Sequence, residues 1–470
     1  MGLLLRRLGS FSIGPIAGAA IGFITVPIIT RMISTGEYGR TSMFLLAMNT
    51  LSMIIYLGMD QAFVREFNEN RTKLGRLFGS AVAVPFGIAL ALLVLIALFR
   101  PEVSVLLFDE PDETLTVYAL GVAMPFMVIR NFTLLLIRMH EQGGLYSALT
   151  ISLKLFNFIF TMVLLFGWER SFRSVVLAEG LAEVLLGLLC LIIAKKYIPK
   201  GTLSFDRVLA KQMLRFGIPL VPASLMVWVL SSSDQIMLRF LYTYAELGLY
   251  TAAFKIVNVI SIAQSCFTLF WTPLAYRWYE EKVDRSNFET VGRIVAVFMT
   301  IISIGLLLFK DIVAVILGED FAAAVAIFPF LLMHPVMYTI SECTAVGMGF
   351  MRKTKYNIYI SAIAAASNIA MNFLLIPSFG ARGAAIATGL SFTIFFWART
   401  LFSRRLWYKF PLRDYVIATI FCLANCLVHT FLTGPAPYLF SAVSLAVLAV
   451  LYRAYLALAF RMLKEKMRRG

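Results

Sequence analysis

The sequence predicts an all-α polytopic membrane protein, and three observations support this fold class. Hydrophobic residues make up 60% of the 470-residue chain and charged residues only 14%, well below the share of about 25% that is typical of soluble domains. Apolar runs of about 20 residues, each long enough to cross a bilayer, recur along the whole chain. No polar segment between them is long enough to fold as a separate soluble domain.

The apolar runs divide the chain into about fourteen membrane spans joined by short connections. We place the spans approximately at 10–32, 38–59, 75–99, 115–137, 143–167, 174–194, 216–238, 247–271, 290–309, 322–349, 356–376, 381–403, 414–433 and 436–460.

The basic residues predict the orientation of the chain. Most of the 42 Lys and Arg residues fall at the N-terminus, in the C-terminal tail and in the even-numbered connections. Positive charge is enriched on the cytoplasmic side of membrane proteins, so both termini are predicted to be cytoplasmic. This placement accounts for the net charge of +16 without a nucleic-acid partner. The acidic segment 109–113 then lies outside, as this orientation expects.

An internal repeat relates the two halves of the chain. The segment RMISTGEYGRTSMFLLAMN (31–49) resembles RFLYTYAELGLYTAAFKIVN (239–258), and LAEGL (177–181) resembles IATGL (386–390). Each copy holds an even number of spans, so the copies share one orientation and form a parallel repeat. We predict a six-helix N-lobe (1–195), a cytoplasmic linker (196–215), a six-helix C-lobe (216–405), and two extra helices with a basic tail (406–470).

Prolines interrupt the first span of each copy at corresponding places. Span 1 contains Pro15 and Pro27, and span 7 contains Pro219 and Pro222. Proline removes a backbone hydrogen bond, so these helices are expected to kink or unwind. Paired interrupted helices favour a transport site, although proline is also common in membrane helices.

Polar side chains line one face of span 5 and one face of span 11, which are equivalent in the repeat. Helical spacing places Ser147, Thr150, Lys154, Asn157 and Thr161 on one face of span 5. The same spacing aligns Asn357, Ser361, Asn368 and Asn372 on span 11. These faces are predicted not to contact lipid, because amides and hydroxyls in membranes either pack between helices or line a cavity.

Seven ionisable residues are predicted to lie well inside spans. Each costs roughly 3 kcal/mol to place at the bilayer centre, so each is expected to pair or to face a water-filled cavity. They are Arg130, Lys154, Glu179, Glu183, Asp234, Lys255 and Glu342. No phosphate-binding glycine loop, metal-ligand cluster or nucleophile–base spacing accompanies them, and the five cysteines are interpreted as small apolar side chains. The sequence therefore predicts a transporter and not an enzyme.

Two stretches resemble signatures of a known family. NFLLIPSFGARGAAIATGLSF (372–392) and PIITRMISTGEYG (27–39) resemble the polysaccharide branch of the multidrug/oligosaccharidyl-lipid/polysaccharide exporter superfamily, and within it the Wzx-type flippases. The resemblance extends along the whole chain. It implies a MATE-like fold in which two six-helix lobes rock about a central cavity.

The resemblance also implies a function and partners. Such a protein moves an undecaprenyl-pyrophosphate-linked oligosaccharide from the inner to the outer leaflet of a bacterial cytoplasmic membrane. A polysaccharide polymerase and glycosyltransferases of the same pathway would be its partners, and the protein is expected to be a monomer. No cofactor is expected apart from H⁺ or Na⁺ as a coupling ion.

Other functions remain open at this point. Fourteen spans instead of the commoner twelve keep a lipid II-type flippase in consideration. A multidrug or organic-cation antiporter of the same superfamily is a further alternative, as is a membrane glycan polymerase or ligase. A structural scaffold is the remaining alternative, but it would not need charged faces in both copies.

Under the flippase hypothesis, the polar residues receive separate roles. A pyrophosphate crossing the hydrocarbon needs cations, and sugars need hydrogen-bonding side chains. The expected pyrophosphate ligands are Arg130, Lys154 and Lys255, with Arg31 and Arg239 at the outer mouth. The expected sugar contacts are Asn157, Asn258 and Asn372. The expected carriers of a coupling H⁺ or Na⁺ are Glu179, Glu183, Asp234 and Glu342.

Overall fold

A computed structural model describes residues 2–199, 201–353 and 355–453. Within these ranges the chain forms α-helices and three short 3₁₀ turns, and no strand. The helices of the first half are α1 (Gly2–Thr30), α2 (Thr35–Tyr56), α3 (Met59–Glu66), α4 (Leu74–Leu98), α5 (Arg100–Phe108), α6 (Thr114–Met139), α7 (Gly143–Gly167), α8 (Phe172–Tyr197) and α9 (Arg207–Gly217). Those of the second half are α10 (Val221–Leu241), α11 (Tyr244–Glu280), α12 (Arg285–Leu308), α13 (Ile312–Leu317), α14 (Ala324–Thr344), α15 (Val346–Phe350), α16 (Lys355–Leu406), α17 (Arg413–Phe431) and α18 (Ala436–Leu451).

The helices make this a multi-pass membrane protein. In the described ranges, 10 helices are long and apolar enough to cross a membrane, or up to 11 if the bent pair α2–α3 is one span. Helix α16 has 52 residues, or roughly 78 Å at 1.5 Å per residue, which is too long for one crossing. Gly380 interrupts it with φ 54° and ψ −131°, where the turn between spans 11 and 12 was predicted. The all-α polytopic class is confirmed, and the count of fourteen spans stays a prediction.

The chain divides into two compact units, Met1–Trp228 and Val229–Gly470. The division falls inside α10, so the predicted lobe boundaries and the extent of the linker stay predictions. Helix α9, which overlaps the predicted linker, packs against α3 and α4 of the first unit. Asp206 caps α9 by accepting hydrogen bonds from the backbone N–H groups of Val208 and Leu209. This part of the linker is therefore fixed to the first unit.

An equivalent hydrogen bond appears in both units at the predicted repeat offset. Glu37, in the first turn of α2, accepts a hydrogen bond from the backbone N–H of Phe172. Glu246, in the first turn of α11, accepts one from the backbone N–H of Ala381 at 2.7 Å. Glu246 lies 209 residues after Glu37, and Ala381 lies 209 residues after Phe172. The repeat read from the sequence therefore corresponds to a repeated tertiary contact.

The proline-containing segments behave differently in the two halves. Pro15 and Pro27 lie within one continuous helix, α1. In the second half the helix unwinds into a 3₁₀ turn at Ile218–Leu220, which contains Pro219 and separates α9 from α10. The predicted unwinding is thus present at Pro219 and absent from α1.

Two glycines allow a close backbone contact just before that 3₁₀ turn. Gly58 has φ +71°, a conformation that side chains rarely adopt, and it follows Leu57 at φ 45°. A Cβ added to Gly217 would lie 2.5 Å from the carbonyl oxygen of Leu57 and 2.7 Å from the carbonyl carbon of Gly58. Because both neighbours are backbone atoms, neither can move aside without displacing the chain.

We expect Gly217→Ala to destabilise the first unit, because the new methyl group overlaps backbone. Overpacking of this kind costs about 1–3 kcal/mol. The measurement is the thermal unfolding midpoint of the purified protein in detergent. Gly87→Ala is the matched control, because a Cβ there meets nothing within 4 Å. Equal midpoints for the two variants would show that the Gly58–Gly217 contact is not tight in solution.

Candidate functional site

A bidentate ion pair joins α6 to α8 in the first unit. The Arg130 guanidinium donates from Nε to Glu183 Oε2 at 2.6 Å and from Nη2 to Oε1 at 3.1 Å. Glu183 is only 3% exposed. Burial of either charge alone would be costly, so each residue is the main compensation for the other. Both were predicted to be interior groups, one as a pyrophosphate ligand and one as an ion carrier, and here each neutralises the other.

An amide, a carboxylate and an ammonium group lie beside this pair. Asn157 on α7 donates a hydrogen bond to Glu179 on α8. Lys154, one helical turn before Asn157, is exposed, and its aliphatic stem lies next to Gly18 of α1. Within the described residues, the Lys154 ammonium has no ion-pair partner within 4 Å. The first unit therefore presents one accessible cation next to a polar cluster.

A buried carboxylate in the second unit is surrounded by neutral donors. Asp234 on α10 is 3% exposed. Its Oδ1 accepts hydrogen bonds from Asn368 Nδ2 at 3.0 Å and from Asn372 Nδ2. Its Oδ2 accepts from the hydroxyl of Tyr250 at 2.6 Å and from that of Thr388. None of these four donors is a cation, so among the described residues hydrogen bonds alone compensate the carboxylate.

Several oxygen atoms are concentrated around Asp234. The side-chain amide oxygen (Oδ1) of Asn372 is buried and has no hydrogen-bond partner among the described residues. The carbonyl oxygen of Asn368 accepts from the hydroxyl of Ser233 at 2.6 Å and from the Asn372 amide at 3.1 Å. Carboxylate, amide and hydroxyl oxygens are the ligands that hard cations prefer. The arrangement therefore suits a proton or a small hard cation better than a soft metal.

The fourth predicted acid is already paired. Arg399 on α16 donates to Glu342 Oε1 at 2.8 Å and to the Ser341 hydroxyl at 2.7 Å. The guanidinium also lies over the rings of Tyr338 and Phe395, at 5.5 and 5.3 Å from their centroids. Glu342 is thus neutralised by an arginine that the sequence analysis did not include among interior charges.

The remaining predicted residues are divided between the two units. Arg31 in the first unit and Lys255 in the second are exposed. The guanidinium of Arg239 lies 4.4 Å from the ring centroid of Tyr244, and Asn258 is half-buried. The structure brings together the residues of two clusters: Arg130, Glu183, Asn157 and Glu179 in one, and Asp234 and Asn372 in the other. The roles assigned to all of these residues stay predictions.

Two proteins with related sequences carry names that assign them to glycan biosynthesis. The chain is 24% identical over 260 residues to the succinoglycan biosynthesis transport protein ExoT of Rhizobium meliloti (strain 1021). The aligned region covers 54% of this chain and 48% of ExoT. The chain is 20% identical over 189 residues to the probable low-salt glycan biosynthesis flippase Agl15 of Haloferax volcanii, covering 39% of this chain and 40% of the relative. The matched regions thus span about half the length of these relatives or less.

Two solved structures show the same fold. The lipid II flippase MurJ in an inward closed conformation superposes with a TM-score of 0.70 at 16% identity, covering 95% of this chain and 99% of MurJ. A point mutant of the Vibrio cholerae MATE transporter VcmN superposes with a TM-score of 0.57 at 15% identity, covering 87% of this chain and 96% of VcmN. These similarities confirm the predicted MATE-like fold.

The match to a protein family covers the first unit and the start of the second. The family described as "Polysaccharide biosynthesis protein" matches residues 4–274. This region is more than half of the sequence and contains both Lys154 and Asp234. The chain belongs to the polysaccharide biosynthesis protein family.

Proposed function

We propose that this protein flips an undecaprenyl-pyrophosphate-linked oligosaccharide from the inner to the outer leaflet of a bacterial cytoplasmic membrane. Alternating access driven by an ion gradient would move the substrate. Membership in the polysaccharide biosynthesis family supports this class of substrate. The observation that carries the proposal is the accessible ammonium of Lys154 beside the polar cluster of the first unit. A pyrophosphate leaving water requires such a cation.

The proposed pyrophosphate ligands differ in how exposed they are. Arg130 is held bidentately by Glu183, so binding pyrophosphate there would require that pair to open. Lys154 and Lys255 are both exposed, which favours them as the principal pyrophosphate ligands. Arg31 and Arg239 keep their proposed place at the outer mouth. Asn157, Asn258 and Asn372 remain proposed sugar contacts.

Ion coupling is assigned to Asp234 among the four acids. Glu183 and Glu342 each form an ion pair with an arginine, so a coupling ion would have to displace that arginine. Asp234 is hydrogen-bonded to neutral donors and has no ion-pair partner among the described residues, so binding of H⁺ or Na⁺ would neutralise its buried charge. Glu179, which accepts from the Asn157 amide, is the second candidate.

The orientation and partners follow from the same proposal. Both termini would be cytoplasmic, because most basic residues then lie on the cytoplasmic side. Glycosyltransferases of the same pathway would supply the substrate, and a polysaccharide polymerase working on the same lipid carrier would consume it. The protein would act as a monomer.

Two related functions are separated by substrate. The fold shared with the lipid II flippase favours a lipid-linked glycan but leaves the glycan open, and the fold shared with MATE transporters leaves an organic-cation antiporter open. A cation antiporter would not use Lys154, because like charges repel.

The test is binding of undecaprenyl pyrophosphate to the detergent-solubilised protein. We expect Lys154→Ala and Lys255→Ala each to weaken binding by about tenfold, since a hydrogen bond to a charged group contributes roughly 1.5–3 kcal/mol. Lys154→Arg, which keeps the charge, is expected to retain most of the affinity. Unchanged affinity in both alanine variants, or binding of a cationic dye in place of the lipid, would contradict the proposal.

A further inference from the structure

The bend between α2 and α3 opens a cleft in the first unit. The two helices meet at 51°, because Leu57 and Gly58 adopt left-handed conformations with φ 45° and 71°. The cleft has an empty volume of about 340 Å³ including its open mouth. Its walls come from the end of α2, the start of α3 and the start of α10. In the predicted orientation, the end of α2 lies on the cytoplasmic side.

Four polar side chains line this cleft: Tyr56, Asp60, Gln61 and Ser224. The carboxylate of Asp60 accepts hydrogen bonds from the backbone N–H groups of Asp60 and Gln61. The side chain of Gln61 is exposed. Within the described residues, Asp60 has no ion-pair partner within 4 Å. The cleft therefore offers a carboxylate, an amide, a phenol and a hydroxyl that retain hydrogen-bonding capacity toward a ligand.

The cleft adjoins the polar cluster described above. Tyr56 interacts electrostatically with Asp60 of the cleft, and also with Arg130 and Glu183 of the polar cluster. The same ring packs edge-on against Phe132, with centroids 6.1 Å apart. Polar groups thus run from Asn157 and Glu179 through the Arg130–Glu183 pair to Tyr56 and the cleft. A ligand that extends from the cluster along these polar groups would reach the cleft.

The charges decide which part of a ligand suits the cleft. A phosphate would be repelled by the Asp60 carboxylate, which has no cation beside it among the described residues. A divalent cation would find only one carboxylate among the lining residues. A sugar fits the chemistry better, because neighbouring hydroxyls donate to a carboxylate and exchange hydrogen bonds with an amide. The apolar faces of sugar rings also pack on tyrosine, which combines an apolar body with a polar tip.

We propose that this cleft binds the sugar unit next to the pyrophosphate of the lipid-linked glycan. The inference rests on the proposed function and adds a recognition site to it. Asp60 and Gln61 bind the hydroxyls of that sugar, and Tyr56 packs against the ring. The site contacts the glycan and not the lipid carrier, so it adds to binding affinity only for carriers that bear a sugar.

The experiment compares glycosylated and bare carriers on the full-length protein. Binding is measured for undecaprenyl pyrophosphate and for the same lipid bearing one glucose, galactose or N-acetylglucosamine. The wild type is expected to bind at least one glycosylated carrier about tenfold more tightly than the bare lipid. Asp60→Asn and, separately, Gln61→Ala are expected to remove most of that gain while leaving affinity for the bare lipid unchanged.

Glu69→Gln is the matched control, because this exposed acid lies just beyond α3 and outside the cleft. It is expected to leave all affinities unchanged. Equal affinity of the wild type for all four lipids, or an equal loss for bare and glycosylated lipids in Asp60→Asn, would overturn the sugar site while leaving the flippase proposal intact. No binding of any of the four lipids would remove both. A thermal unfolding midpoint for each variant separates lost binding from lost folding.

Discussion

Replacing Asp234 with asparagine is expected to abolish the dependence of transport on an ion gradient. Asparagine has nearly the same shape, and its amide oxygen still accepts from donors such as Tyr250 and Thr388. It carries no charge, so it neither exchanges a proton nor attracts Na⁺. We therefore expect the transport rate in the presence of an imposed gradient to fall to the rate measured without one.

The measurement is flipping by reconstituted Asp234→Asn protein with and without an imposed H⁺ or Na⁺ gradient. Asp284→Asn is the control, because Asp284 caps α12 through a 2.7 Å hydrogen bond from the backbone N–H of Ser286, and asparagine caps equally well. A hydrogen bond from the Ser286 side chain, together with this backbone hydrogen bond, holds the pKa of the Asp284 carboxyl below its ordinary value. Retained gradient dependence in Asp234→Asn would move the coupling role to another residue, with Glu179 next.

Removing either partner of the Arg130–Glu183 pair is expected to destabilise the protein strongly. Glu183→Leu leaves a buried guanidinium without its carboxylate, and Arg130→Met leaves a buried carboxylate without its guanidinium. Each change should cost about 3–5 kcal/mol. The double variant removes both charges and should be much more stable than the sum of the single changes predicts.

Thermal unfolding of the four proteins in one detergent measures this double-mutant cycle. Additive losses would show that the pair is not formed in solution. Binding of undecaprenyl pyrophosphate by the double variant gives a second readout, because this variant lacks the Arg130 cation and leaves neither charge of the pair without its partner. Wild-type affinity for undecaprenyl pyrophosphate in that variant would show that Arg130 does not bind the pyrophosphate.

The sequence was sufficient for the helices and for their repetition. Apolar runs near bilayer length predict α4, α6 and α7 because backbone polar groups in lipid must be satisfied within the helix. The 209-residue offset placed Glu37 and Glu246 at equivalent positions, and both accept a backbone hydrogen bond at the start of a later helix. The glycine turn at Gly380 was predictable because a left-handed conformation favours glycine.

Partners across helices were beyond the reach of the sequence. Asn368 and Asn372 were identified as a polar face, but the face does not reveal which helix it meets. The structure pairs it with Asp234, which lies 134 and 138 residues earlier in the chain. Tyr250 was not identified as a hydrogen-bond donor to that carboxylate, because a single tyrosine in an apolar run forms no recognisable pattern.

The interior arginine of the second unit shows the same limit. Arg399 falls near the end of the predicted span 381–403, where a snorkelling side chain reaching for the membrane surface is the usual expectation. In the structure it turns inward to Glu342, so that acid has its charge compensated. Helix rotation and neighbour identity come from packing between segments far apart in the chain, and a single sequence does not encode them in any local pattern.

The most direct test of the central claim is lipid movement by the purified protein in liposomes. A fluorescent polyprenyl-pyrophosphate oligosaccharide is placed in one leaflet, and its appearance in the other is followed with and without an H⁺ or Na⁺ gradient. We predict gradient-dependent flipping that is reduced in Lys154→Ala and that no longer responds to the gradient in Asp234→Asn. An absence of lipid movement, together with efflux of a cationic dye from the same liposomes, would contradict the flippase proposal and identify the protein as a cation antiporter.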